Sequence, residues 1–228
     1  MNDRLGVIFD MDGVLVDSYN AHFRSWQTVA ASRGRNMTQQ EFDATFGRTS
    51  REIIAALWPT SVSSEAEIAR LDAEKEAAFR HILAAEFPPM PGVGELLESL
   101  HAAGFALAVG SSGPPENVDL VLDRLGNRGL FGSIVHGMDV TRGKPDPQVF
   151  LLAAHRLGIP AKRCAVVEDA PLGIDAAKAA GMASVGLAST GRNRTMLAAA
   201  DLTVDSLSEL GPAAFRHLIL ASRADRTQ

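Results

Sequence analysis

In VIFDMDGVLVDS (7–18), Asp10 and Asp12 fall two positions apart where a run of apolar residues ends, with Gly13 directly behind them. Acids in that place are either turn formers or parts of a ligand site, and a lone pair does not decide between the two. Further along, Ser111 and Ser112 follow FALAVG, Glu168 and Asp169 follow CAVV, and Lys144 lies between those two runs. If these groups converge, four carboxylates crowd one another and each opposes the ionisation of the next. A hard divalent cation with oxygen ligands relieves this, and Mg²⁺ is the usual ion for a few carboxylates completed by phosphate oxygen and water. Adding the Lys144 ammonium and the Ser111 hydroxyl gives a set suited to a phosphoryl group. Metal and lysine offset its charge, a hydroxyl orients its oxygens, and a carboxylate stands ready as nucleophile.

The elements that must position these groups are legible in the apolar patterning. Short apolar runs at 5–9, 105–110, 132–137, 164–168 and 183–187 read as strands, with helical spacing between them from about residue 90 onward. Repeated strand–helix–strand units predict an α/β fold. They imply a doubly wound, Rossmann-like parallel sheet covered by helices on both faces, with the ligand crevice at the carboxyl ends of the strands. In this reading Lys144 opens the helix between the 132–137 and 164–168 strands. Residues 18–88 break the rhythm. They contain no convincing strand and read as helices near 18–33, 38–44, 49–58 and 65–86, an all-helical insertion between the first strand and the rest of the sheet. The core is then 1–17 and 89–228, with MPGV (90–93) turning into its next helix and the terminal ASRADRTQ fraying.

Composition narrows the partners. A chain of 228 residues with 46% apolar content buries a substantial core, and a net charge of −5 with scattered Lys and Arg offers no stripe for a nucleic-acid backbone. No apolar run has the length of a signal-peptide core or a membrane span, so a soluble, cytoplasmic protein without nucleic-acid or membrane partners is expected, as a monomer or small homo-oligomer. The single cysteine, Cys164, excludes an internal disulfide and reads as a core residue.

Four segments together resemble the motifs of the haloacid-dehalogenase-like superfamily of phosphotransferases: FDMDGVLVDS (9–18), VGSS (109–112), GKPDP (143–147) and VVEDAPLGIDAAKAAG (166–181). The resemblance implies that Asp10 is the nucleophile, forming an aspartyl-phosphate, and that Asp12 is the general acid and then the base. It also implies Mg²⁺ held by the Asp10 carboxylate, the Asp12 backbone carbonyl and Asp169. Glu168 is then a ligand or an acceptor for metal-bound water, and Ser111 and Lys144 hold the phosphoryl oxygens. Asp17 reads as structural, pairing or capping near the first helix of the insertion, and Ser112 as a residue of the following turn or a substrate contact.

The insertion resembles the superfamily's small helical cap, which closes over the site, and within it the β-phosphoglucomutase and sugar phosphatase branch. On this likeness His22, in HFRSW, and Lys75, four residues before Phe79, are substrate contacts. The likeness fails at one place. An ungapped match puts Ser50 where the mutase carries an Arg that grips the distal phosphate; the neighbours are Gly47, Arg48, Thr49 and Arg51. Arg48 or Arg51 is left as a substitute, although a bidentate phosphate contact tolerates displacement poorly. EDAPLGI resembles the sugar and polyol phosphatases instead.

The expectation is therefore a Mg²⁺-dependent phosphatase of a small phosphorylated metabolite, with a sugar phosphate as the favoured substrate. A mutase moving phosphate between sugar hydroxyls is the alternative. A non-enzymatic phospho-accepting signalling domain fits less well, being about half this length and lacking both the cap and an Asp12 equivalent.

Overall fold

A computed structural model describes residues 4–46, 48–58, 62 and 64–225. The chain forms two compact units, one containing the residues up to Asp17 and from Pro88 onward, the other Ser18–Phe87.

The first unit is built on a six-stranded parallel sheet of order β3-β2-β1-β4-β5-β6. Its strands are β1 (Gly6–Phe9), β2 (Ala106–Gly110), β3 (Phe131–Val135), β4 (Cys164–Glu168), β5 (Ala183–Leu187) and β6 (Leu202–Val204). Every residue of β1, β2, β4 and β5 is buried, which is why these strands read as continuous apolar runs and not as alternation. β1 lies between β2 and β4, with Phe9 opposite Val109 on one side and Val167 on the other. The chain winds outward from β1 to β3, then restarts at β4, so the strand order reverses at the β1/β4 junction. Open parallel sheets bind ligands at that junction, beyond the strands' carboxyl ends.

The helices of this unit, α5 to α9, follow the four helices of the second unit in the chain. α5 (Val93–Ala102) packs against β2, α7 (Gln148–Leu157) against β1, β2 and β3, α8 (Pro171–Ala179) against β4 and β5, and α9 (Pro212–Asp225) against β4 and β5; α6 (Pro115–Leu125) follows β2 in the chain. Ile8, Ala108 and Val166 from the sheet share one core cluster with Phe150 and Ala153 of α7 and Ala176 and Ala177 of α8. The chain leaves and re-enters this unit as a short antiparallel pair: Asp17 N–H donates to the Pro88 carbonyl (2.9 Å) and Met90 N–H to that of Leu15 (3.1 Å).

The second unit holds α1 (Tyr19–Ala31), α2 (Gln39–Thr45), α3 (Ser50–Leu57) and α4 (Glu65–Ala85). TQQE (38–41) and TSRE (49–52) begin α2 and α3 as capping boxes, the Thr hydroxyl accepting from the backbone of the Glu while the Glu carboxylate accepts from the backbone of the Thr. Trp26, Phe42, Ile53, Ile54, Leu57 and Leu71 close the core of this unit.

One expectation needs correction, and two segments add to what the apolar patterning gives. Lys144 does not open a helix: α7 begins at Gln148 with Pro147 as its N-cap, and Lys144 lies in the loop before it. β6 leaves no mark in the apolar patterning, because LTV is three residues long and only Val204 is buried. The terminal ASRADRTQ is helical as far as Asp225, where α9 ends; residues 226–228 lie outside the described residues.

Candidate active site

The carboxyl end of β1 carries Asp10, whose backbone N–H donates to the Val167 carbonyl of β4 at 2.9 Å. That bond sets Asp10 beside the end of β4, where Glu168 and Asp169 follow. Oxygen atoms of Asp10, Glu168 and Asp169 all lie within 4.8 Å of one another, and the three residues are 7%, 1% and 6% exposed.

Lys144 is the cation among them. Its Nζ donates to Asp10 Oδ1 at 2.6 Å and to Glu168 Oε1 at 2.5 Å, and it lies 4.8 Å from the Phe150 ring centroid. Burial opposes the ammonium, but Asp10 and Glu168 outweigh it and hold Lys144 protonated, above the ordinary lysine range. The second oxygen of Glu168, Oε2, accepts from the Ala170 N–H at 2.9 Å, at the start of α8. This carboxylate lies so close to α8 that a Cβ on Gly173 would stand 1.9 Å from its Oε1, so glycine is required there.

The turn after β1 is equally tight. Gly13 adopts φ +72° and donates its N–H to the Val16 carbonyl at 2.8 Å, and a Cβ at this position would lie 2.1 Å from Asp169 Oδ2. Gly13 thus meets both a left-handed backbone and a carboxylate pressed against it. Asp12 is half-buried on the same turn, in a backbone bridge with Val16.

The acids are not at rest as they stand. Desolvation raises Asp10 well above the ordinary aspartate range; Lys144 pulls it back, and Glu168, Asp12 and Asp169 push it higher. Asp169 is pushed up to about 7, first by burial and then by Glu168, with Arg192 and the Ser189 hydroxyl acting the other way. Lys144 and Arg192 offset only part of this negative charge, since Asp10 and Asp169 both stay raised. An all-oxygen, largely buried set with charge left over fits a hard divalent cation. Cys164, the one cysteine, is buried within β4 with its thiol pushed up to about 12 by desolvation, consistent with a core role.

Of the other residues expected in the site, Ser111 is buried at the end of β2 and its Oγ accepts from the Gly113 N–H at 3.0 Å. Ser112 is exposed. Asp17 pairs and does not cap: its Oδ2 accepts from Thr190 Oγ1 at 2.7 Å, while Ser18 is the N-cap residue of α1. In the helical unit, Lys75 is 4% exposed, with Nζ 3.0 Å from His22 Nδ1 and 2.7 Å from Glu76 Oε1. The His22 ring stacks on Phe79 at 4.2 Å. Arg51 is exposed and forms a two-nitrogen ion pair with Glu65; Arg48 is exposed, and Gly47 lies outside the described residues.

The loop after β5 had no place in the sequence reading. Ser189 Oγ donates to Asp169 Oδ2 at 2.9 Å, which brings this loop to the acids. The signal was available: AST follows β5 as SS follows β2 and ED ends β4, all at carboxyl ends of sheet strands.

Comparison with known proteins identifies the family. A family model for haloacid dehalogenase-like hydrolases matches residues 5–181, and the chain belongs to that family. It is 33% identical over 219 residues to a β-phosphoglucomutase of Bacillus subtilis, covering 90% of each chain. It is 34% identical over 180 residues to the fructose-1-phosphate phosphatase YqaB of Escherichia coli, covering 79% of this chain and 94% of that one. A solved β-phosphoglucomutase from Clostridium difficile superposes with a TM-score of 0.84 at 27% identity, covering 97% of this chain and 99% of that one. The resemblance drawn from the four motifs is borne out, as is the Rossmann-like parallel core. The protein is an enzyme of the family's phosphoric monoester chemistry, with hydrolase and phosphoglucomutase relatives both in range. Among the described residues no helix is long and apolar enough to cross a membrane.

Proposed function

We propose that this protein is a Mg²⁺-dependent phosphatase of a small phosphorylated sugar, working through a phosphoryl group carried on Asp10. The observation that supports this most is the Lys144 ammonium held between Asp10 Oδ1 and Glu168 Oε1 at the β1/β4 junction. A phosphate monoester bound there meets one fixed positive charge beside a buried carboxylate, the pairing that phosphoryl transfer to a carboxylate requires.

In this reading Asp10 attacks phosphorus. Asp12, two residues on, gives a proton to the departing sugar oxygen and later takes one from the attacking water. Ser111 and Lys144 orient the phosphoryl oxygens, and Glu168, braced on the first turn of α8, keeps Lys144 in place. Mg²⁺, when bound by Asp10, Asp169 and the Asp12 backbone carbonyl, offsets the charge of the phosphoryl oxygens. His22 and Lys75 of the helical unit are proposed as substrate contacts. Ser112, Arg48 and Arg51 stay secondary candidates, because all three are exposed and Arg51 is already paired with Glu65.

The mutase reading has support in the Bacillus subtilis and Clostridium difficile relatives. Against it, Ser50 occupies the place matched to the Arg that grips a distal phosphate. Weak distal binding leaves the phosphorylated Asp10 open to water. Incubation with Mg²⁺, β-glucose 1-phosphate and a trace of glucose 1,6-bisphosphate separates the two. Net release of phosphate, with little glucose 6-phosphate, is expected; rapid glucose 6-phosphate formation with little free phosphate would replace the phosphatase reading with the mutase.

A further inference from the structure

We propose that Ser189 is a positioning residue for Asp169, and that the loop after β5 is held in shape to present it. This rests on the reading of Asp169 as a metal ligand given above. The Ser189 hydroxyl donates to Asp169 Oδ2 at 2.9 Å, and the Gly13 turn lies so near that a Cβ there would stand 2.1 Å from the same oxygen. With one oxygen held by a donor and walled by backbone, the plane of the carboxylate is fixed before any ion arrives. Partners of this kind, one step removed from the ion, orient ligating carboxylates, and removing one typically weakens metal binding by about 10- to 100-fold.

The loop itself is anchored to β6 at one end and closed by a turn at the other. Ala188 N–H donates to the Val204 carbonyl of β6 at 2.8 Å, Arg192 N–H closes a turn on the Ser189 carbonyl at 2.9 Å, and Gly191 turns with φ +79°. Next to Ser189, Thr190 Oγ1 donates to Asp17 Oδ2 at 2.7 Å, clamping the loop to the segment where the chain leaves the sheet unit. Consecutive hydroxyls therefore grip two acids: one aims a candidate ligand, the other anchors the loop that carries the first.

The test is Mg²⁺ titration by calorimetry on wild type, Ser189→Ala, Ser189→Thr and Thr190→Val, with thermal midpoints of the metal-free proteins recorded alongside. The expected result is a Kd about 10- to 100-fold weaker for Ser189→Ala at a nearly unchanged metal-free midpoint. Ser189→Thr, which keeps the hydroxyl, should recover most of the affinity, and Thr190→Val should lose a smaller part. Wild type that binds Mg²⁺ with Ser189→Ala binding equally well would overturn the positioning role alone. Equal weakening in Ser189→Ala and Ser189→Thr, accompanied by lower midpoints, would also overturn it, since the hydroxyl would then not be the cause. Wild type that fails to bind Mg²⁺ would overturn the metal reading beneath it.

Discussion

Lys144 Nζ lies 2.6 Å from Asp10 Oδ1, joining the loop before α7 to the end of β1 across 134 residues of chain. The contact is nearly dry, with each side chain about 10% exposed. In such surroundings an ion pair contributes little net stability, but breaking it leaves a charge with neither partner nor water.

Lys144→Met should therefore destabilise the fold by roughly 3–5 kcal/mol, because Asp10 and Glu168 both lose their cation. The loss should be larger at pH 8 than at pH 5, since protonation of the raised Asp10 carboxyl relieves the defect at lower pH. Urea denaturation at both values reads this directly, and a loss that does not change with pH would show that the acids are satisfied in some other way.

Asp169 supplies a pH dependence of definite sign. In metal-free protein its carboxyl holds a proton up to about pH 7, whereas in the unfolded chain it ionises near 3.8. The folded state thus binds the extra proton between those values, and the stability this gives falls as pH rises through them. Asp169→Asn removes the titration. The mutant's midpoint in EDTA should gain on wild type steadily from about pH 4 to about pH 7 and then level off, and added Mg²⁺ should reduce or reverse the gap. A difference that stays flat with pH would contradict the assignment.

The two acids of the opening motif should separate by metal binding. Asp12→Asn keeps the backbone carbonyl proposed as a ligand, so its Mg²⁺ affinity should stay near wild type while turnover falls by about 10²- to 10⁴-fold, the usual worth of a general acid–base group. Asp169→Asn should lose both. If Asp12→Asn weakens Mg²⁺ as far as Asp169→Asn does, the Asp12 side chain is itself a ligand.

The sheet was legible because its four inner strands are buried on both faces and so show as unbroken apolar runs. The helices of the insertion were legible because each begins on a Ser or Thr near its start and α2 and α3 carry full capping boxes. What pattern could not supply was long-range geometry. Lys144 works from a loop whose position depends on Asp10 and Glu168, partners 134 and 24 residues away. Ser189 and Gly173 become meaningful only once β4, β5 and α8 are packed, since each acts on an acid displaced from it in sequence. β6, at the sheet edge with one buried residue, left almost no hydrophobic trace.

If Asp10 carries the phosphoryl group, that group can be trapped on it. Protein turning over β-glucose 1-phosphate with Mg²⁺ is quenched in acid and treated with borohydride, which reduces an acyl phosphate to the alcohol, and the peptide spanning residues 5–24 is then sequenced by mass spectrometry. Homoserine is expected at position 10 in wild type, with none in the absence of substrate and none in Asp10→Asn, whose amide is too weak a nucleophile to attack phosphorus. Steady phosphate release with Asp10 unmodified, or with reduction at Asp12 instead, would contradict it.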